Sequence, residues 1–135
     1  MIRLLSSFLL LLSLPAWAGT LRGVNPDELL DLQQKGALVV DVRTPEEWKS
    51  TGVIPGSAKL TFFDKNGAYD KDAWLKQLKG QVKSADQPIV LVCRSGNRSG
   101  TVGKELAQEP GFGQVYHLEK GIRQWSAESR SLVGP

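Results

Sequence analysis

Two segments, GALVVDV (36–42) and QPIVLVC (87–93), are continuous apolar runs rich in β-branched residues rather than alternations of apolar and polar side chains. A strand of that composition has no face to offer to water. It must be covered on both sides, as strands are in a parallel sheet with helices above and below. Helix signals lie where that architecture needs them. Asn25, Pro26 and Glu28 combine an N-cap, a first-turn proline and a capping box ahead of Leu29, Leu30 and Leu32, which predicts a helix over about 26–34. Thr44-Pro45-Glu46-Glu47 opens a second short helix in the same way, and STGVIPGSAKL (50–60) is a turn leading into a short strand. Asp70 and Asp72 precede Trp74, Leu75, Leu78 and Val82, which share one helical face. Arg98 to about Ala107 is predicted as a helix, Gly113 to His117 as a strand, and Gly121 to about Glu128 as a final helix. Strands alternating with helices specify an α/β domain with a mainly parallel sheet flanked by helices on both faces.

The chain has 135 residues and begins with a segment of different character. Arg3 supplies a positive start, Leu4 to Leu14 is apolar apart from serines, and Ala16-Trp17-Ala18 is a small-residue cleavage site. Residues 1–18 are therefore expected to be a cleaved secretory signal, too short to span a bilayer, leaving one domain over 19–135 that is periplasmic or secreted and carries no membrane anchor. Losing Arg3 takes the net charge from +3 to +2. Lysines and arginines are scattered singly, without the basic stripe that nucleic-acid binding requires. An exported chain with one cysteine cannot form an internal disulfide, so its stability has to come from a packed core.

That cysteine, Cys93, closes the second apolar run and is followed by Arg94-Ser95-Gly96-Asn97-Arg98-Ser99-Gly100. It stands where a buried strand ends and a helix starts, the edge at which open α/β sheets bind ligands. Gly96 and Gly100 allow a tight curl that turns successive N–H groups inward and makes an anion cradle. A thiol at the centre of such a cradle meets the positive end of a helix and the guanidinium groups of Arg94 and Arg98, all of which favour the nucleophilic thiolate. A merely structural buried thiol, the common alternative, leaves two arginines and two glycines without a purpose. Cysteine phosphatases use Cys-x5-Arg around a tetrahedral anion; here the spacing is Cys-x4-Arg, a narrower ring that suits a single sulfur better, although a smaller oxyanion also fits.

The segment Cys93-Arg94-Ser95-Gly96-Asn97-Arg98-Ser99 resembles the active-site loop of rhodanese-type sulfurtransferases. VVDVRTPEEW (39–48) with GVIPGSAKL (52–60) resembles the family's upstream segment, and HLEKGIRQW (117–125) its closing element. Two positions depart from the pattern: Val53 replaces a frequent histidine, and Lys120 the first glycine of a usual pair. The resemblance implies a rhodanese-like fold with a five-stranded sheet. It also implies a double displacement in which Cys93 takes a sulfane sulfur from a donor such as thiosulfate and passes it, as a persulfide, to cyanide or a thiol, with a thiol-bearing protein as a further acceptor. No metal or organic cofactor is implied. Arg94, Ser95, Gly96, Asn97 and Arg98 would bind substrate, and Asp41 and Arg43 would form an ion pair supporting the loop. A non-catalytic binding or sulfur-relay module is the second reading, and a small phosphatase or arsenate reductase the third. The lone histidine, His117, is expected to be a surface or satisfied side chain, Trp48, Trp74 and Trp125 core anchors, and Glu46, Glu47 and Glu119 capping or solvated charges. Oligomeric state has no visible signature in the sequence.

Overall fold

The computed structural model describes residues 19–135, so the expected signal segment lies outside the described residues. The chain runs β1 (Leu21–Val24), α1 (Pro26–Gln34), β2 (Leu38–Asp41), α2 (Pro45–Thr51), β3 (Ala58–Lys59), α3 (Lys71–Gln81), β4 (Ile89–Val92), α4 (Asn97–Ala107), β5 (Val115–Leu118) and α5 (Gly121–Ala127). The strands form one sheet in the order β1-β5-β4-β2-β3, and every pairing is parallel, where the sequence predicted a mainly parallel sheet. Both predicted capping boxes are present: Asn25 Oδ1 accepts from the Glu28 amide at 2.9 Å, and Thr44 Oγ1 accepts from the Glu47 amide at 3.4 Å. β1 is the one strand whose own residues gave no signal. LRGV is short, contains a glycine, and pairs only at the sheet edge with β5.

The two apolar runs are the two central strands. Ile89, Leu91 and Cys93 face one side, with Trp74 and Leu78 of α3 and Val102 and Leu106 of α4. Val90 and Val92 face the other, with Leu29 of α1 and Ile122 and Trp125 of α5. Period-two alternation therefore divides β4 between two cores, which is why neither face of the run tolerates a polar residue. Trp74 and Trp125 are core anchors as expected, whereas Trp48 on the short helix α2 is only half-buried.

Topology fixes where a site can form. From β2 the chain moves outward to β3, and from β4 it moves the opposite way to β5, while β2 and β4 are hydrogen-bonded neighbours. Their carboxyl ends thus flank the crevice at which strand order reverses. Val42 N–H donates to Val92 O at 2.9 Å, which sets Arg43 beside the start of the Cys93 loop. Leu91, fully buried at the middle of β4, should be indispensable to this arrangement: Leu91→Ala is expected to lower unfolding stability by about 2–5 kcal/mol in a denaturant titration.

Candidate active site

The loop after β4 closes around Cys93 Sγ. Gly96 N–H donates to the sulfur at 3.1 Å and Ser99 N–H at 3.3 Å, and the Ser99 hydroxyl lies 3.4 Å away. The expected amide cradle is thus supplied by Gly96 and Ser99. Gly96 is the residue that permits the curl. Its φ is +97°, and a Cβ there would come impossibly close to Glu119 O. Gly100, credited with the same role in the sequence, instead lies inside α4, its N–H donating to Gly96 O at 2.9 Å. α4 starts at Asn97 with no side-chain cap, so its first-turn amides remain directed toward the loop.

A second helix fixes the loop from behind. Ile122 N–H donates to Cys93 O and Arg123 N–H to Arg94 O, both at 3.0 Å, so the first turn of α5 holds the loop's carbonyls outward while its amides turn in. Gly121, at φ +65°, is needed for this approach, since a Cβ would collide with the Arg94 carbonyl. Lys120 has φ −106° and an exposed side chain, so a glycine is not required there and the departure is accommodated. Val53 is likewise accommodated: it is buried, and its backbone pairs with Val133 through hydrogen bonds of 2.8 and 2.9 Å.

Asp41 and Arg43 form an ion pair, as predicted, and it is buried rather than solvated. Arg43 Nη2 donates to Asp41 Oδ2 at 2.8 Å, Nε to both carboxylate oxygens, Nη1 to Thr51 Oγ1 at 2.7 Å, and Nη2 also to Gly52 O at 2.8 Å. The guanidinium therefore ties the end of β2 to the end of α2. Its support reaches the loop through α2, because Glu47 on that helix takes Arg98 in a two-pronged pair at 2.6 and 2.7 Å. That pair corrects two expectations. Glu47 caps its helix but also reaches across to the loop, and Arg98 is committed to a carboxylate instead of being free for an anionic substrate. The Arg98 guanidinium holds the Glu47 carboxyl below its ordinary range, against the opposing effect of burial.

Arg94 is exposed and makes no side-chain hydrogen bond among the described residues; Ser95 and Asn97 are also exposed. A cavity of about 490 Å³ lies beside the loop, lined by Arg94, Glu47, Thr51, Arg123 and Ser126 among others. Arg123, which sequence reasoning passed over, thus stands with Arg94 as a guanidinium at the mouth of the site. The thiol itself is sealed: Cys93 is 1% exposed, because it continues the inner face of β4 and Ser99 of α4 closes over it.

His117 is satisfied, as expected, but its partner belongs to the site: Nδ1 lies 2.9 Å from Ser99 Oγ. Nothing in the sequence places residues 93, 99 and 117 together, because the contact depends on β4, α4 and β5 packing in register. Burial pushes the imidazole below its ordinary 6.5, as does Lys104, while Glu119 opposes them. Among the described residues no group of three or more His, Cys, Asp or Glu side chains is placed to hold a metal ion.

The rhodanese-like domain family matches residues 25–128. The chain belongs to the rhodanese-like domain family. Thiosulfate sulfurtransferase GlpE of Pseudomonas aeruginosa is 31% identical over 106 residues, which cover 78% of this chain and 84% of that protein. A solved structure of a rhodanese-related protein from Thermoplasma volcanium shares 26% identity at a TM-score of 0.62, covering 83% of this chain and 97% of that one. The polysulfide-sulfur transferase homodimer of Wolinella succinogenes superposes with a TM-score of 0.64 at 21% identity, over 89% of this chain and 82% of that one, and so shares the fold. The five-stranded parallel sheet with helices on both faces is thus a rhodanese-like fold. Within it, removing the buried cation should be costly: Arg43→Met leaves Asp41 buried and unpaired, and is expected to lower stability by about 3–5 kcal/mol by denaturant titration.

Proposed function

We propose that this rhodanese-like domain is a thiosulfate-type sulfurtransferase acting through a Cys93 persulfide. The reading rests above all on the two amides, Gly96 and Ser99, that donate to Cys93 Sγ. Donors aimed at a sulfur stabilise negative charge on it, first in the attacking thiolate and again as Cys93 leaves as thiolate when the persulfide is discharged. In the first step the Cys93 thiolate attacks the outer sulfur of thiosulfate; the new S–S bond forms as the old one breaks, and sulfite leaves with the electron pair. In the second step cyanide or a thiolate attacks the outer persulfide sulfur, and Cys93 departs as thiolate. The first step loads Cys93 with a sulfane sulfur and the second restores the thiolate, so the complete cycle leaves the enzyme unchanged and calls on no metal or organic cofactor.

Substrate binding is assigned to the exposed rim. Arg94 and Arg123 offer unopposed positive charge to a doubly anionic donor and to the departing sulfite, and Ser95 and Asn97 are exposed on the same loop. Arg98 contributes by holding the loop against Glu47, and Asp41 and Arg43 by holding α2. Since Cys93 is almost fully buried, the rim has to yield as the donor enters. The small-molecule donor and acceptor act outside the cytoplasm if residues 1–18 are removed on export, a reading supported by the Arg3, Leu4–Leu14 and Ala16-Trp17-Ala18 pattern.

Thiosulfate and cyanide should therefore give thiocyanate with the wild-type protein, and Cys93→Ser should give none. Arg94→Ala is expected to raise KM for thiosulfate with little change in kcat, because its charge acts in binding. Turnover of an aryl phosphate without thiocyanate formation would place the protein with the cysteine phosphatases. Absence of both activities, in a folded protein, would leave the binding module.

A further inference from the structure

We propose that Ser99 and His117 form a proton relay that serves Cys93, with Ser99 as the bridge and the His117 imidazole as the terminal acceptor. This inference rests on the sulfur-transfer reading of Cys93 and adds residues to it. The geometry forms a continuous chain: Cys93 Sγ donates toward Ser99 Oγ at 3.4 Å, and Ser99 Oγ lies 2.9 Å from His117 Nδ1. Ser99 is fully buried and His117 half-buried, so the relay runs from a sealed sulfur outward toward solvent. A buried thiol has no water to take its proton, and this chain is the route that the described residues provide.

The step balances without a co-reactant. The S–H bond of Cys93 breaks as its proton passes to Ser99 Oγ, and the proton already on Oγ moves to Nδ1. Products are a thiolate, an intact serine hydroxyl and an imidazolium. When the persulfide is discharged and Cys93 leaves as thiolate, the same chain returns the proton. Ser99 Oγ also lies 3.3 Å from Gly96 O, so the hydroxyl hydrogen has a second acceptor within the cradle when Nδ1 carries a proton. The relay thus has a complete hydrogen-bond arrangement in each of its two states.

The surroundings suit an acceptor that is neutral at rest. His117 is flanked in the sheet by Gly23 of β1 and Leu91 of β4, neither of which carries charge. Lys104 of α4 and Glu119, at the end of β5, are the charged groups that act on the ring; together with desolvation their balance keeps it below its ordinary value. The imidazole should be unprotonated near pH 7 and lose its acceptor role as pH falls.

The chain has a single histidine, so its NMR titration is unambiguous, and the rate of Cys93 alkylation by iodoacetamide reads proton removal without any sulfur transfer. In the wild type, the alkylation rate should fall on the acid side with an inflection below pH 6.5 that coincides with the His117 titration. His117→Gln keeps a hydrogen-bonding partner for Ser99 but does not titrate; it should lose that inflection and react more slowly above it, by roughly a hundredfold or more. Ser99→Ala should lose the inflection as well, while His117 still titrates by NMR, which also reports that the fold is kept. An inflection retained in either variant would overturn the relay. If the wild type takes sulfur from thiosulfate but its alkylation profile matches that of His117→Gln, the relay fails alone. If the inflection behaves as expected but no sulfur is taken up, the transfer reading fails and the relay stands.

Discussion

The grip of α5 on the loop after β4 is the constraint on which the rest of the site depends. Two amides at the start of that helix hold the carbonyls of Cys93 and Arg94 at 3.0 Å. With those oxygens turned outward, the amides of Gly96 and Ser99 can point at the sulfur. Two glycines make this approach possible, Gly96 beneath Glu119 O and Gly121 against the Arg94 carbonyl. Closeness of backbone to backbone therefore shapes the cradle. It also explains why the family's closing element lies nearly thirty residues after the cysteine and yet belongs to the same site.

A second line of support runs through charge. The buried Asp41–Arg43 pair fastens the end of β2 to the end of α2, and Glu47 of α2 fastens Arg98 of the loop. An ion pair taken out of water costs more to desolvate than a surface pair, and breaking it leaves a charge with nowhere to go. Its value here is positional: Arg43 spends its donors on Asp41, Thr51 and a backbone carbonyl, so both walls of the crevice are held at one spacing. The positive charge left for substrate comes from Arg94 and Arg123, which neither line of support consumes.

Much of this was legible in the sequence because its cause is local. Capping boxes at Asn25 and Thr44, the apolar runs of β2 and β4, and the cysteine–glycine–arginine loop each act over a few neighbouring residues. β1 escaped because an edge strand of four residues with a glycine carries no periodicity of its own. The roles of Glu47, His117 and Arg123 escaped for a different reason. Each reaches the loop across 18 or more residues of chain, and only the packed sheet and its helices set those distances. The burial of Cys93 has the same origin: it follows from the side of β4 that the residue faces and from the way Ser99 covers it, neither of which the spacing of the loop encodes.

Intact-protein mass spectrometry after incubation with thiosulfate bears most directly on the claim that this cradle holds a sulfur ready to accept another. The mass should rise by one sulfur atom, the increment should map to Cys93, and cyanide should remove it. A folded wild-type protein that takes up no sulfur, or that takes it up equally well after Cys93→Ser, would contradict the account.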